Sequence, residues 1–334
     1  MNRFKAAIAS LSLLALAGAA QAAGSGYHVI DRISGPDGGW DYVRVDPRNN
    51  RVLVAHGSSV IAIDLATKRV TTGLAPGLIL HDPLPVNDGS ELMVTNGGSA
   101  EAAFYDAKSG AAVATVKTGV GPDAAAFDRR SGLVLVMEHV GGQVMLIDPK
   151  VHKAVGSVPV GGDLEAAAVD GRGRAYVNIE NKNEIAVIDI AQRKVVARYP
   201  LAGCDGPTGL AYDAADAQLI AACDGATVVL AAGSGKILAT LSTGKGADGV
   251  AYDPRQKLAF VPAGRDGALA VVSVGKGHAA IVDKVPTEVG ARTIALDQRS
   301  GRLYLPSAEF GPRPASGGRP PMKPGSFHVL VVGK

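Results

Sequence analysis

An all-β, seven-bladed β-propeller is the fold this sequence predicts, and three observations predict it. Short apolar runs that close on Asp recur along the chain, each unit between them holds four strands without a helical period, and 43 glycines supply tight turns. The segment-ending residues are Asp46 in YVRVD, Asn87 in PLPVN, Asp128 in AAAFD, Asp170 in AAAVD, Asp213 in GLAYD, Asp253 in GVAYD and Asp297 in TIALD, spaced 41, 41, 42, 43, 40 and 44 residues apart. Asp64, Asp106, Asp148 and Asp189 keep step as a second marker, ending the third strand of their units. Asp suits both places because its carboxylate accepts hydrogen bonds from the turn that follows. A period of about 40–45 residues with four strands per unit marks a propeller blade.

The elements follow in order. Arg3 and Lys5, the apolar run from Ala6 to Ala17 and the small residues Ala20-Gln21-Ala22 read as a signal peptide over 1–22, cut near Ala22. The run is shorter than the roughly 20 residues of a membrane span, so export to a periplasm without a membrane span is expected. Blades are expected near 38–74, 75–118, 119–160, 161–201, 202–243, 244–287 and 288–334. The seventh lacks a fourth strand, which YHVIDRI at 27–33 can supply; closing the ring in this way removes an exposed sheet edge. A Pro-rich stretch at 308–325 interrupts the seventh blade between its second and third strands.

LMVTNGG at 92–98 resembles the signature of the YVTN-repeat (YncE-like) β-propeller family, and the repeat covers residues 27–334. The resemblance implies the fold. It brings no shared catalytic motif, so function has to come from the residues of this chain.

Counting back five residues from each segment end gives one equivalent position per blade: Asp41, Asp82, Asp123, Glu165, Thr208, Asp248 and Arg292. All are expected where the innermost strand begins, at the channel mouth. Carboxylates converging there repel one another, which raises pKa values or recruits a cation. Oxygen ligands of this kind suit Ca²⁺, Mg²⁺ or Mn²⁺, and Arg292 offers a hold on an anion. The alternative is structural, with each side chain tying down loop amides. His56, His81 and His139 come from blades one to three, and with Glu138 or Asp82 they form a candidate zinc or copper set. Trp40 precedes a ring residue and is a candidate floor for a ligand, and Glu309 ends a strand on the same face. His28 and His328 fall on outer strands and read as structural.

Cys204 and Cys223 flank the inner and second strands of blade five, and an oxidising compartment makes them a disulfide. The insertion is expected to hang over the ring, with Arg313, Arg319 and Lys323 in reach of the carboxylates or of an anionic ligand.

Composition excludes several classes. Without Arg3 and Lys5 the chain holds 32 basic against 31 acidic residues, which gives no steering toward nucleic acid. C-x-x-C-H and G-x-S-x-G are absent, and a single Trp cannot supply the repeat of a quinoprotein. The leading expectation is a monomeric periplasmic binding or scaffold protein whose channel-mouth face takes a small ligand, a metal ion or a protein partner. The alternative is a lactonase-type hydrolase that uses one divalent cation, with Glu165 or Asp248 as base.

Overall fold

Seven copies of one strand pattern form seven four-stranded antiparallel sheets in the computed structural model, which describes residues 24–314, 317, 318 and 320–334. The leader expected over 1–22 and Arg319 lie outside the described residues. The first strand of each blade lies innermost: Trp40–Asp46, Leu80–Val86, Pro122–Asp128, Leu164–Val169, Leu210–Asp213, Ala251–Asp253 and Ala295–Asp297. Blade seven continues through Arg302–Ser307 and His328–Gly333 to an outer strand from the other end of the chain, His28–Ser34. There His28 stands opposite Gly333 and Ser34 opposite His328. Helical structure among the described residues is two single turns, Asn87–Gly89 and Glu180–Lys182. None of their helices is long and apolar enough to cross a membrane.

The middle strands are continuous apolar runs because neighbouring blades cover both of their faces. Val52, Leu53, Val54 and Ala55 are all fully buried, whereas the outer strand Lys194–Pro200 alternates between exposed and half-buried positions. The repeated Asp residues are turn anchors. Asp46, Asp128, Asp213, Asp253 and Asp297 are buried and accept backbone N–H groups from Asn49, Ser131, Ala215, Arg255 and Arg299 at 2.9–3.2 Å. Asp64 and Asp106 do the same at the outer turns, from Thr67 and Ser109, at 2.7 Å each.

The channel is plugged from one side. Blades three to seven line it with Ala124, Ala166, Gly209, Gly249 and Thr293, while blade one contributes the large side chains Tyr42 and Arg44. About 90 Å³ of space is left among them. Gly209 has to be glycine, since a Cβ there would stand 2.5 Å from the carbonyl carbon of Gly249 on the next blade. A disulfide joins Cys204 to Cys223, with their Cα atoms 5.4 Å apart, and ties the loop leading into blade five to the end of that blade's second strand.

Candidate functional site

Between the plug and the loops the channel mouth opens into two adjoining cavities of about 550 and 700 Å³. The smaller is a cup floored by Tyr42 and lined by Asp41, His81, Asp123 and Glu165. The larger is lined by Glu180, Asp205, Asp224 and Arg265 and walled by Phe310, Arg313 and Pro320 of the insertion. Asp248 and Arg292 belong to both and mark their border.

Inner-strand geometry aims the side chains of the cup. A register irregularity at the start of the strand, between Trp40 and Val43 and again between Pro122 and Ala125, places Asp41 and Asp123 outside regular pairing. His81 Nδ1 then lies 2.5 Å from Asp41 Oδ2 and 3.7 Å from Asp123 Oδ1. His139 Nδ1 lies 3.1 Å from Glu165 Oε1. Two groups of candidate ligand atoms result, Asp41–His81–Asp123 and Asp123–His139–Glu165, each with its atoms within 4.8 Å of one another. Asp123 Oδ1 is shielded from solvent and makes no hydrogen bond to any described residue.

Crowding of charge and partial burial of the side chains perturb these groups. Burial, then the neighbouring Asp41, push Asp123 well above the usual carboxylate range. Burial also raises Glu165 to about 7, with the charge of Asp248 adding to it and His139 opposing it. The hydrogen bond to Glu165 lifts His139 to about 9 against the cost of burial. For His81 burial works against the proton, but the hydrogen bond to Asp41 and the charges of Asp123 and Asp41 outweigh it and the pKa is raised. Asp248 rises to about 6 through burial, against the pull of Arg292. Without a cation, the cup holds its like charges by keeping protons.

Other expected site residues stand apart. Asp82 is fully buried below the cup, where Arg44 Nε donates to it at 2.7 Å, a second guanidinium nitrogen at 2.5 Å, and the Ala125 N–H at 2.8 Å. Those donors occupy both of its oxygens. His56 packs edge-on against Phe327, 4.7 Å between centroids, and burial lowers its pKa. Glu138 is buried, accepts the Gly119 N–H at 2.7 Å and has its pKa raised by burial. Neither His56 nor Glu138 joins a ligand group with His81 or His139 among the described residues, because each side chain turns back onto its own loop or core. The end of the second strand commonly serves this purpose: Asn96 and Asn181 accept Leu78 and Asp163 N–H groups at 3.1 and 3.0 Å.

Trp40 is buried beside the mouth against Phe310 and Phe327. The Arg292 guanidinium sits 5.4 Å from its ring centroid, donates to Trp40 O at 2.8 Å and pairs with Asp248 Oδ2 at 2.8 Å. Trp40 therefore positions Arg292 and also lines the smaller cavity. Glu309 pairs with Lys323 at 3.0 Å and lies outside both mouth cavities, on the outer side of the insertion. The insertion itself folds back as an arm. Gly311 N–H donates to Pro321 O, Lys323 N–H to Glu309 O, and Asp37 accepts the N–H groups of Gly325, Ser326 and Phe327. Arg44 and Tyr42 were not singled out as site residues from sequence. Their signal was there, since blade one alone carries large residues at positions where the later blades carry Pro, Ala, Gly or Thr.

The family model for YNCE-like beta-propellers matches residues 42–215, more than half of the 334-residue chain. The chain belongs to the YNCE-like β-propeller family. Among solved structures it is similar to a chain from a crystal structure of a mitotic checkpoint complex, at 14% identity and a TM-score of 0.74, covering 91% of this chain and 95% of that one. It is also similar to a chain of the Kuenenia stuttgartiensis hydrazine synthase, at 17% identity and a TM-score of 0.68, covering 84% and 95%. Identities this low carry the fold alone. No curated protein matches the chain.

Proposed function

We propose that this YNCE-like propeller is an exported binding protein that holds a divalent first-row transition metal in the cup at its channel mouth and presents it to a small anionic ligand. One observation carries the reading: two imidazoles and three carboxylates from four neighbouring blades converge with candidate ligand atoms within 4.8 Å in each group, on a rigid scaffold open to solvent. Imidazole donors favour Zn²⁺, Fe²⁺ or Cu²⁺, and the three carboxylates also suit Mn²⁺, whereas Ca²⁺ and Mg²⁺ prefer an all-oxygen shell. The adjoining 700 Å³ cavity, with Arg292 at its border, leaves room for a small anionic ligand to reach a bound ion's open coordination positions. The Cys204–Cys223 disulfide supports an oxidising location.

A second reading, metal-assisted lactone hydrolysis, is favoured by the position of Asp248, which reaches both cavities next to the ligand groups and is suited to act as a base. Elemental analysis of the mature protein, purified without chelator or an affinity metal, tests the binding reading. Bound Zn, Mn, Fe or Cu is expected at one equivalent or more and should fall by at least about tenfold in His139→Ala. A metal-free protein whose melting temperature ignores added Zn²⁺ and Mn²⁺ would contradict it. Turnover of a lactone panel by the loaded protein, lost in Asp248→Asn, would move the assignment to the hydrolase.

A further inference from the structure

We infer that the cup holds two divalent cations side by side, with the Asp123 carboxylate bridging them. The inference rests on the cation reading above and makes it specific. The two ligand groups are not alternatives for one ion. Asp41 and His81 come from blades one and two and form one group with Asp123, while His139 and Glu165 come from blades three and four and form the other. Asp123 is the one member common to both groups.

Each flank is already a matched pair of donors, His81 with Asp41 at 2.5 Å and His139 with Glu165 at 3.1 Å. A single ion drawn to either flank leaves the other pair and its share of Asp123 unused. A carboxylate has two oxygens and about four lone-pair directions, enough to serve an ion on each side. The protein leaves that capacity free, since Asp123 Oδ1 is shielded from solvent yet receives no hydrogen bond from the described residues. An unpartnered buried carboxylate oxygen is costly unless something else meets it. Asp82, one blade earlier at the equivalent position, makes the contrast, for its oxygens are fully used by Arg44 and the Ala125 N–H.

Charge favours the pair as well. Three carboxylates around two divalent ions leave one positive charge in the cup, which would draw an anionic ligand toward the border residue Arg292. Paired ions about 3.5–4 Å apart and bridged by a carboxylate are a common arrangement for binding such a ligand through both metals at once.

Mn²⁺ is the probe of choice because neighbouring Mn²⁺ ions couple magnetically. Chelator-stripped protein titrated with Mn²⁺ should take up two equivalents, and its electron paramagnetic resonance spectrum should be that of an exchange-coupled pair. His81→Ala and His139→Ala should each keep one equivalent and give the six-line spectrum of an isolated ion. Asp123→Asn should lose the coupling and weaken both sites by at least about tenfold. One equivalent in the unaltered protein, or two that show no coupling, would overturn the bridged pair while leaving the cation reading in place. No uptake at all would overturn both. Should Asp123→Asn fail to fold, the coupling seen or missing in the unaltered protein decides the matter by itself.

Discussion

At the residue scale, one side chain decides how many ring carboxylates remain for a ligand. Arg44 removes Asp82 from the cup by donating two hydrogen bonds to it from within the plug. Replacing Arg44 with Met would leave Asp82 fully buried and without its guanidinium partner. That should cost about 3–5 kcal/mol, read as a lowered denaturation midpoint; Asp82→Asn in the same background should recover part of the loss. A change below about 0.5 kcal/mol in Arg44→Met would show that the plug does not carry this charge. The retained protons make a second prediction. Glu165 at about 7 and Asp248 at about 6 lie above their unfolded values, so each stabilises the fold at low pH and loses that contribution as pH rises through the raised value. His139, raised to about 9, acts with the same sign across the higher range. The melting temperature of the cation-free protein should therefore fall between about pH 5 and 9, and Glu165→Gln should flatten the lower half of that fall. Carboxylates with lowered pKa, such as Asp64 and Asp106, act below this window. A melting temperature that rises from pH 5 to 9 would count against the crowded-cup account.

At the scale of elements, the Pro-rich stretch is an arm fixed at both ends rather than a slack loop. Phe310 and Met322 pair across its base and pack on the core near Trp40, and Asp37 clamps its return. Between those points it walls the larger cavity with Phe310, Arg313 and Pro320. Replacing residues 312–320 with two glycines should move the melting temperature by less than about 3 °C, because the described residues of the excised segment are largely exposed. The same change should speed removal of bound metal by a chelator several-fold, since one wall of the mouth is gone. Equal stripping rates in both proteins would show that the arm does not screen the cup. Strand pattern and turns were legible in the sequence because six of the seven blades reuse the same Asp anchor and the other has Asn87 there, a spacing that needs only local hydrogen bonds to explain. Register counting likewise put Asp41, Asp123 and Glu165 on one ring, and the structure brings them together. Counting does not separate Asp82 from that ring, nor His56 and Glu138 from the candidate metal set with His81 and His139. Their fates depend on contacts from elsewhere in the chain: Arg44 across the plug, Phe327 from the chain's last blade, and the Gly119 loop.

At the scale of the whole molecule, a propeller converts small blade-to-blade differences into a site. Seven near-equivalent positions face one axis, so a change of one residue in one blade alters what all the others meet. Here blade one plugs the axis, blades one to four supply the ligand groups, and Arg292 of blade seven meets Asp248 of blade six at the border of the second cavity. The outer edge of blade seven is paired by His28–Ser34, which lends neither mouth cavity a residue. Crystals grown with Mn²⁺ and measured for its anomalous signal test the central claim most directly. The account predicts strong peaks in the cup between Asp41, His81, Asp123, His139 and Glu165. A map with no peak there, in crystals that show Mn²⁺ elsewhere, would contradict it.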